Sequence, residues 1–368
     1  MDEITFARAL HARAPHTWVT VLLVAACVIA YGLQTAAAGF SFSMPTAQLR
    51  DFGANFAPLV QSGQPWRLVS SMFLHGNPAH ILFNMMALWQ LGQVAERLFG
   101  SFAFLLIYLA AGIIGSLASN WWSPAVVSVG ASGAIFGLAG ALLAYLFVCR
   151  GQMPMSVFNQ MRGSMLAFIG YSLFAGVALP GIDNAAHVGG LIGGALCGGG
   201  FARSLNGPRT AWPWGRMALG TVLVVAVGLG LWRTAPQVGQ MYLRQSALAA
   251  DLRATAEADA RLSQRLQQIL GAYQDKKIAE GEAVTRLQGL TRDWEAELAR
   301  LRASAANVSD IAPVIEYAQL RQQVAANLAR ALDTHEQRYV EAAGSAGQRA
   351  DALAQRLSTP RGGGASAR

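Results

Sequence analysis

Gly130-Ala131-Ser132-Gly133-Ala134-Ile135-Phe136-Gly137 sets one serine among glycines and alanines at the head of an apolar run that continues to Val148. A nucleophile that must meet a peptide carbonyl needs neighbours without bulky side chains, and glycines at 130 and 133 give that clearance. The same glycines let another helix backbone come close, and Gly133 with Gly137 forms a small-xxx-small packing face. Taken alone, the stretch reads more readily as packing than as chemistry. The balance turns on what the rest of the chain brings to the same depth.

The chain has 368 residues, 53% hydrophobic and only 13% charged, against roughly a quarter charged in soluble domains. That composition points to a membrane protein. Seven apolar runs approach the length needed to cross ~30 Å of hydrocarbon: Trp18–Leu33, Ala79–Ala95, Phe102–Ser119, Val126–Val148, Ser164–Leu179, Ala185–Phe201 and Met217–Trp232. The last is short, with Arg216 and Arg233 at its ends placed to snorkel.

The formal net charge is +8, and the arginines alternate between sides. Arg8 and Arg13 precede the first run. Arg97 follows the second, Arg150 and Arg162 lie between the fourth and fifth, and Arg203, Arg209 and Arg216 lie between the sixth and seventh. The opposite connections hold only Arg50 and Arg67. The positive-inside rule then puts the N-terminus in the cytoplasm and starts the even-numbered helices on the outer face. The basic balance is topology, and no basic cluster suggests nucleic acid. Cys27, Cys149 and Cys197 sit in or beside apolar runs without metal-ligand spacing, so they read as buried small hydrophobes. No removable signal or transit peptide is read before Trp18.

Five segments follow: a cytoplasmic lead over 1–17, a six-helix membrane core over 18–205, a linker with a seventh span over 206–233, an amphipathic extramembrane domain over 234–357, and a disordered end over 358–368. Within the core, the first connection, Gln34–Gly76, is long and mixes Phe40, Phe42, Phe52, Phe56 and Trp66 with prolines, as in a loop resting at the bilayer interface. Glu96 and Arg97 read as a structural ion pair. In the C-terminal region, Leu262, Leu266, Ile269 and Tyr273, then Leu287, Leu290, Trp294, Leu298 and Leu301, recur at helical spacing. They predict amphipathic helices in a hairpin or small bundle, coiled-coil-like, with breaks around Gly271, Gly281 and Pro313 and a capacity for self-association.

Three of the even-numbered runs carry polar residues near their outer ends: His80 and Asn84, four apart and so on one face; Ser132; and His187, followed by Gly190 and Gly194. Polar groups inside membrane helices are costly and mark cavities or partners. A serine, two histidines and an asparagine at one depth are the parts of nucleophilic acyl transfer. A histidine base activates the hydroxyl, and amide, ring N–H and backbone N–H groups are donors for the oxyanion. Asp183 is the nearest carboxylate and lies at the mouth of the sixth run, so the reading is a Ser132–His187 dyad with no acidic third member.

The set Gly130-Ala131-Ser132-Gly133, His80-xxx-Asn84 and Ala186-His187-x-Gly189-Gly190 resembles the rhomboid family of intramembrane serine proteases. Trp66-Arg67 and Leu74-His75 fit further family patterns, and the resemblance covers roughly Gln64 to Arg203. It implies an all-α polytopic fold with a six-helix core, here with a seventh helix added. It also implies Ser132 as nucleophile, His187 as base, His80, Asn84 and Gly130 at the oxyanion site, and cleavage of other membrane proteins in or beside their transmembrane segments. Phe136 stands where some relatives have a tyrosine against the catalytic histidine, and its ring can still pack there.

A non-catalytic relative that binds membrane clients would be expected to lack the serine or histidine, and both are present. A transporter would carry acidic residues in several helices. A metalloprotease would carry His-Glu-x-x-His, and an aspartyl intramembrane protease two buried aspartates. The expected setting is a bacterial inner membrane with the C-terminal domain outside. The expected partners are lipid and membrane-protein substrates, with no cofactor or metal.

Overall fold

Each apolar run contributes a helix in the computed structural model, which describes residues 2–205, 212–305 and 311–358. The expectation of disorder at the chain end therefore falls almost wholly outside the described residues; Ser358 closes the last helix. The chain divides into two compact units, Met1–Gln240 and Met241–Arg368.

The first unit opens with α1 (Glu3–Arg13) and α2 (Trp18–Ala37). A long connection follows, folded into α3 (Thr46–Phe52), α4 (Ala57–Gln61), α5 (Arg67–Ser70) and a 3-10 turn over Ser71–Phe73. Then come α6 (Pro78–Phe99), α7 (Ser101–Trp122), α8 (Ser132–Val148), α9 (Met155–Ala178), α10 (Asn184–Phe201) and α11 (Trp214–Thr234). By length and apolarity α2, α7, α9 and α11 are each sufficient to cross a bilayer, and α8 is a shorter apolar helix. Helices α6 and α10 are less apolar, one polar at both ends and the other rich in glycine, but they lie in the same bundle. The core joins Leu88, Phe99, Phe104, Tyr108, Leu138 and Tyr145, all fully or almost fully buried. Exposed Leu22, Ile29, Leu166, Phe174, Val222 and Val225 give α2, α9 and α11 apolar outer faces, as lipid-facing surfaces require.

Two boundaries differ from expectation. The fourth run was expected as one helix over Val126–Val148, but Val126–Ala131 lies outside any helix, with Ser128 in an extended pair, and α8 starts at Ser132. The cause is tertiary: Asn55 and Ser128 exchange backbone bonds of 3.0 and 2.9 Å, and Val127 and Val129 pack on Met44, Leu49 and Ala54. The fifth helix begins nine residues early, at Met155 after Pro154, so Arg162 lies within it.

The first connection is a folded element organised by buried Arg67. Its Nε donates to Gln64 Oε1 (2.7 Å), its Nη1 to the carbonyls of Arg50 (2.5 Å) and Ala54 (3.1 Å), and its guanidinium lies over the Trp66 ring. Gln61 in turn holds the chain leaving α11, donating to Pro236 O (2.8 Å) and accepting from the N–H groups of Val238 and Gly239 (2.9 and 3.0 Å).

Glu96 makes no ion pair with Arg97 among the described residues. Adjacent helical residues point apart, and the fully buried carboxylate instead accepts from the N–H groups of Val19 (3.1 Å) and Thr20 (2.8 Å) and the hydroxyls of Thr20 (2.8 Å) and Ser101 (2.7 Å). It thereby serves donors that the first turn of α2 leaves without intrahelical acceptors. The carbonyls ending α10 are held likewise: Arg216 donates to Ala202 O (2.6 Å), and Tyr145 and Arg13 donate to Arg203 O.

The second unit holds most of α12 (Gly239–Gln274), then α13 (Glu280–Ser304), α14 (Ala312–Thr334) and α15 (Gln337–Ser358). Leu262, Leu290, Trp294, Leu298 and Leu301 meet Val314, Tyr317 and Leu320 in its core. The break after α12 lies at Asp275–Ala279, one turn beyond Gly271; Gly281 is already inside α13, and Pro313 sits in the first turn of α14, where its missing N–H costs nothing. Arg300 links α13 to α12 through Asp251 (2.6 Å) and Thr255 (3.1 Å) while also holding Glu297 (2.7 Å). That guanidinium keeps the Glu297 carboxyl below its ordinary range.

Candidate active site

The N-terminal ends of α6, α8 and α10 meet at one place because α8 and α10 touch backbone to backbone. A Cβ at Gly190 would lie 1.9 Å from Gly133 O, one at Gly194 1.9 Å from Gly137 O, and one at Gly198 2.4 Å from Ala141 Cα. Helix α7 closes the other flank of α10, where a Cβ at Gly189 would fall 2.4 Å from Ala118 Cβ. Small residues on both sides of α10 are what permit this approach.

At the head of that seam Ser132 Oγ lies 2.9 Å from His187 Nε2. His187 is buried, and the Phe136 ring stacks on it with centroids 4.2 Å apart and planes 8° from parallel. Its Nδ1 has no protein partner among the described residues. Asp183 does not supply one: its Oδ1 accepts the Ala186 N–H at 3.0 Å as the N-cap of α10. The geometry is thus a pair of side chains, without a third.

His80 and Asn84 face the same spot from α6. Gly130, with φ +121°, sits against them; a Cβ there would be 2.6 Å from His80 Nε2 and 3.3 Å from Asn84 Nδ2. Only glycine combines that backbone with that proximity. The Gly130 N–H donates to Ser71 O at 2.9 Å, so this position contributes clearance, and the N–H groups without intrahelical acceptors are those of the first turn of α8. The Gly76 N–H reaches His80 Nδ1 in a long contact of 3.5 Å, which makes Nδ1 the acceptor and leaves the proton on Nε2, facing Gly130. Asn84 Nδ2 is buried without a protein partner among the described residues. Two donors therefore converge on Gly130, two residues before the serine, and the N-terminus of α8 adds its partial positive charge. A cavity of about 20 Å³, room for about one water, opens between Ser71, Ser116, Ser128, Gly130, Ser132 and Ala186.

All eight residues singled out from the sequence fall in this region: Ser132, His187, His80, Asn84, Gly130 and Phe136 at the centre, Gly190 and Gly194 along the seam below. Sequence reading missed Asn55, which pairs with Ser128 and also donates Nδ2–H to Ser116 O at 3.0 Å. It thus holds the segment leading to Gly130, and no local pattern around Asn55 announces this. No group of three metal-ligating side chains occurs among the described residues.

Residues 62–204 match the Rhomboid domain family. The chain is 36% identical over 269 residues to the rhomboid protease GluP of Bacillus subtilis (strain 168), covering 73% of this chain and 46% of that protein. It is 38% identical over 169 residues to the rhomboid protease AarA of Providencia stuartii, covering 39% of this chain and 59% of that protein. The putative rhomboid protease YdcA of the same Bacillus strain is 35% identical over 159 residues, 42% of this chain and 78% of that protein. The chain spans about half the length of the first two of these relatives. With the family domain running through both Ser132 and His187, and with helices apolar enough to cross a bilayer, this integral membrane protein belongs to the rhomboid family.

Proposed function

We propose that the protein is an intramembrane serine endopeptidase that cleaves transmembrane or juxtamembrane segments of other membrane proteins. The observation that carries the reading is the 2.9 Å separation of Ser132 Oγ and His187 Nε2, within reach for proton transfer. His187 Nε2 takes the hydroxyl proton as Oγ attacks the peptide carbonyl carbon. The resulting oxyanion is held by Asn84 Nδ2–H, His80 Nε2–H and the backbone at the start of α8. His187 then gives its proton to the leaving amine, the C–N bond breaks, and an ester to Ser132 remains. A water, deprotonated by His187, attacks that ester and regenerates Ser132.

All seven long helices of the first unit span the bilayer in this reading, with the N-terminus cytoplasmic and the second unit external or periplasmic in a bacterial inner membrane. Helix α8 has 17 residues and is about 25 Å long, shorter than ~30 Å of hydrocarbon. The late start of α8 thus recesses Ser132 below the outer surface. A substrate helix must enter from the side, and α9 with the loop after it is the element that moves. The second unit, with no nucleophile and base paired in it among the described residues, supports self-association or the holding of external substrate parts.

The test is the purified protein in lipid vesicles with a single-pass reporter substrate. Cleavage is expected, with Ser132 labelled by a fluorophosphonate, and both are lost in Ser132→Ala and His187→Ala. Equal labelling of wild type and His187→Ala would refute the dyad.

A further inference from the structure

Helix α9 is attached unequally along its length. Its first half buries Phe158 and Met165, sets Phe158 edge-on to Phe147 at 6.1 Å, and brings Arg150 and Arg162 over the Phe158 ring. Phe168 then meets Phe136 at 5.4 Å. Beyond Met165 no residue of α9 is buried, and Tyr171, Phe174 and Val177 are 76, 70 and 83% exposed.

One polar contact ties this second half to the bundle among the described residues. Asn184, the first residue of α10, donates Nδ2–H to Leu173 O at 3.2 Å. Its amide is seated on Gly176 so closely that a Cβ there would lie 2.0 Å from Oδ1. That oxygen is buried and has no partner among the described residues, so the contact is only half satisfied and holds less firmly than a fully paired amide. Asn184 stands three residues before His187 on the same helix, at the end of the bundle where Ser132 opens.

We infer that Asn184 is a specificity-determining residue: seated on Gly176, it latches the second half of α9 beside Ser132 and sets how readily a membrane-embedded segment reaches the nucleophile. A small soluble reagent that needs no parting of helices reaches Ser132 whether the latch is closed or open. This rests on the protease reading for its consequence, while the latch itself is a statement about α9 and α10.

The test uses the full chain in vesicles with three readouts: hydrogen exchange along α9, fluorophosphonate labelling of Ser132, and cleavage of the single-pass substrate. In Asn184→Ala, exchange over 171–178 is expected to quicken while that over 155–165 stays unchanged. Cleavage of the membrane substrate is expected to rise about fivefold, the factor that one neutral hydrogen bond sets, with labelling at the wild-type rate. Gly176→Ala, whose methyl displaces the amide, is expected to do the same and gives a second route should the first variant fold poorly. Unchanged exchange over 171–178 in both variants overturns the latch whatever the enzymology. Quickened exchange with unchanged or lower cleavage by an active protein overturns its role in access. A wild type that neither labels nor cleaves defeats the protease reading and with it the role in access, while exchange still decides whether the latch exists.

Discussion

Gly190→Ala puts one methyl into the seam that aligns Ser132 with His187. The added Cβ would lie 1.9 Å from Gly133 O, where a relaxed carbon–oxygen contact needs about 3.3 Å. Its neighbour, Gly133 O, is backbone inside a helix, so no side chain can rotate away; α8 and α10 must part by about 1.4 Å. Gly190 is three residues beyond His187, and Gly133 follows Ser132. Most of that displacement is therefore felt at the 2.9 Å pair, which opens to about 4 Å, beyond hydrogen-bond reach. A misplacement of this size is worth about 10²-fold in rate. Turnover of the reporter substrate and the rate of fluorophosphonate labelling should fall together. Gly199→Ala is the control on the same helix: a Cβ there meets nothing within 4 Å, so activity should hold and helix propensity should gain slightly. A folded Gly190→Ala protein that labels and cleaves at the wild-type rate would refute the argument that this seam sets the dyad.

Other perturbations test separate parts. Asn84→Ala should lower kcat about 10²- to 10³-fold with substrate affinity retained, and His80→Ala should act in the same direction; full activity in the double variant would reduce both to packing. A chain ending at Gln240 should keep labelling and cleavage, because α11 and the Gln61 contacts remain. One ending near Asn206 also loses Arg216 and Gly220, which lies against Leu196 O, and should show a lower melting temperature. Arg300→Met should destabilise the second unit by about 1–2 kcal/mol, in the lower part of the range because Arg300 is 38% exposed. The Glu297 carboxyl is held low, so its contribution is complete above the ordinary glutamate range and lost as pH falls through the folded value. The difference in thermal midpoint between wild type and variant should therefore shrink at pH 3, and a constant difference would exclude the pairing.

Ser132 and His187 were legible because each carries its own clearance in the adjacent glycines, so chemistry and packing are written in the same few residues. What failed to show in the sequence was set from far away. Val126–Ala131 is apolar enough to read as helix, and only Asn55, on another element, draws Ser128 into an extended pair. Neighbouring opposite charges at Glu96 and Arg97 suggested an ion pair, yet their helix turns them apart and the donors for Glu96 come from α2 and from Ser101 at the start of α7. The start of α9 carries Asn159, Gln160 and Arg162 and so broke the apolar run before it broke the helix. Asn184 was visible beside His187, but its meaning depends on Gly176, which looks like any glycine in a membrane helix.

The carboxylate of Glu96 also has a bearing on the order in which the protein is made. Helix α2 leaves the ribosome before α6, and the carboxylate that completes its first turn comes 77 and 76 residues after Val19 and Thr20. At about 5–20 residues per second, Val19 and Thr20 wait roughly 4–15 s for that acceptor. During this interval the first turn of α2 is without the acceptor that holds it in the folded protein. The start of α2 is thus fixed only once α6 is made, and the delay is written into the sequence distance between Thr20 and Glu96.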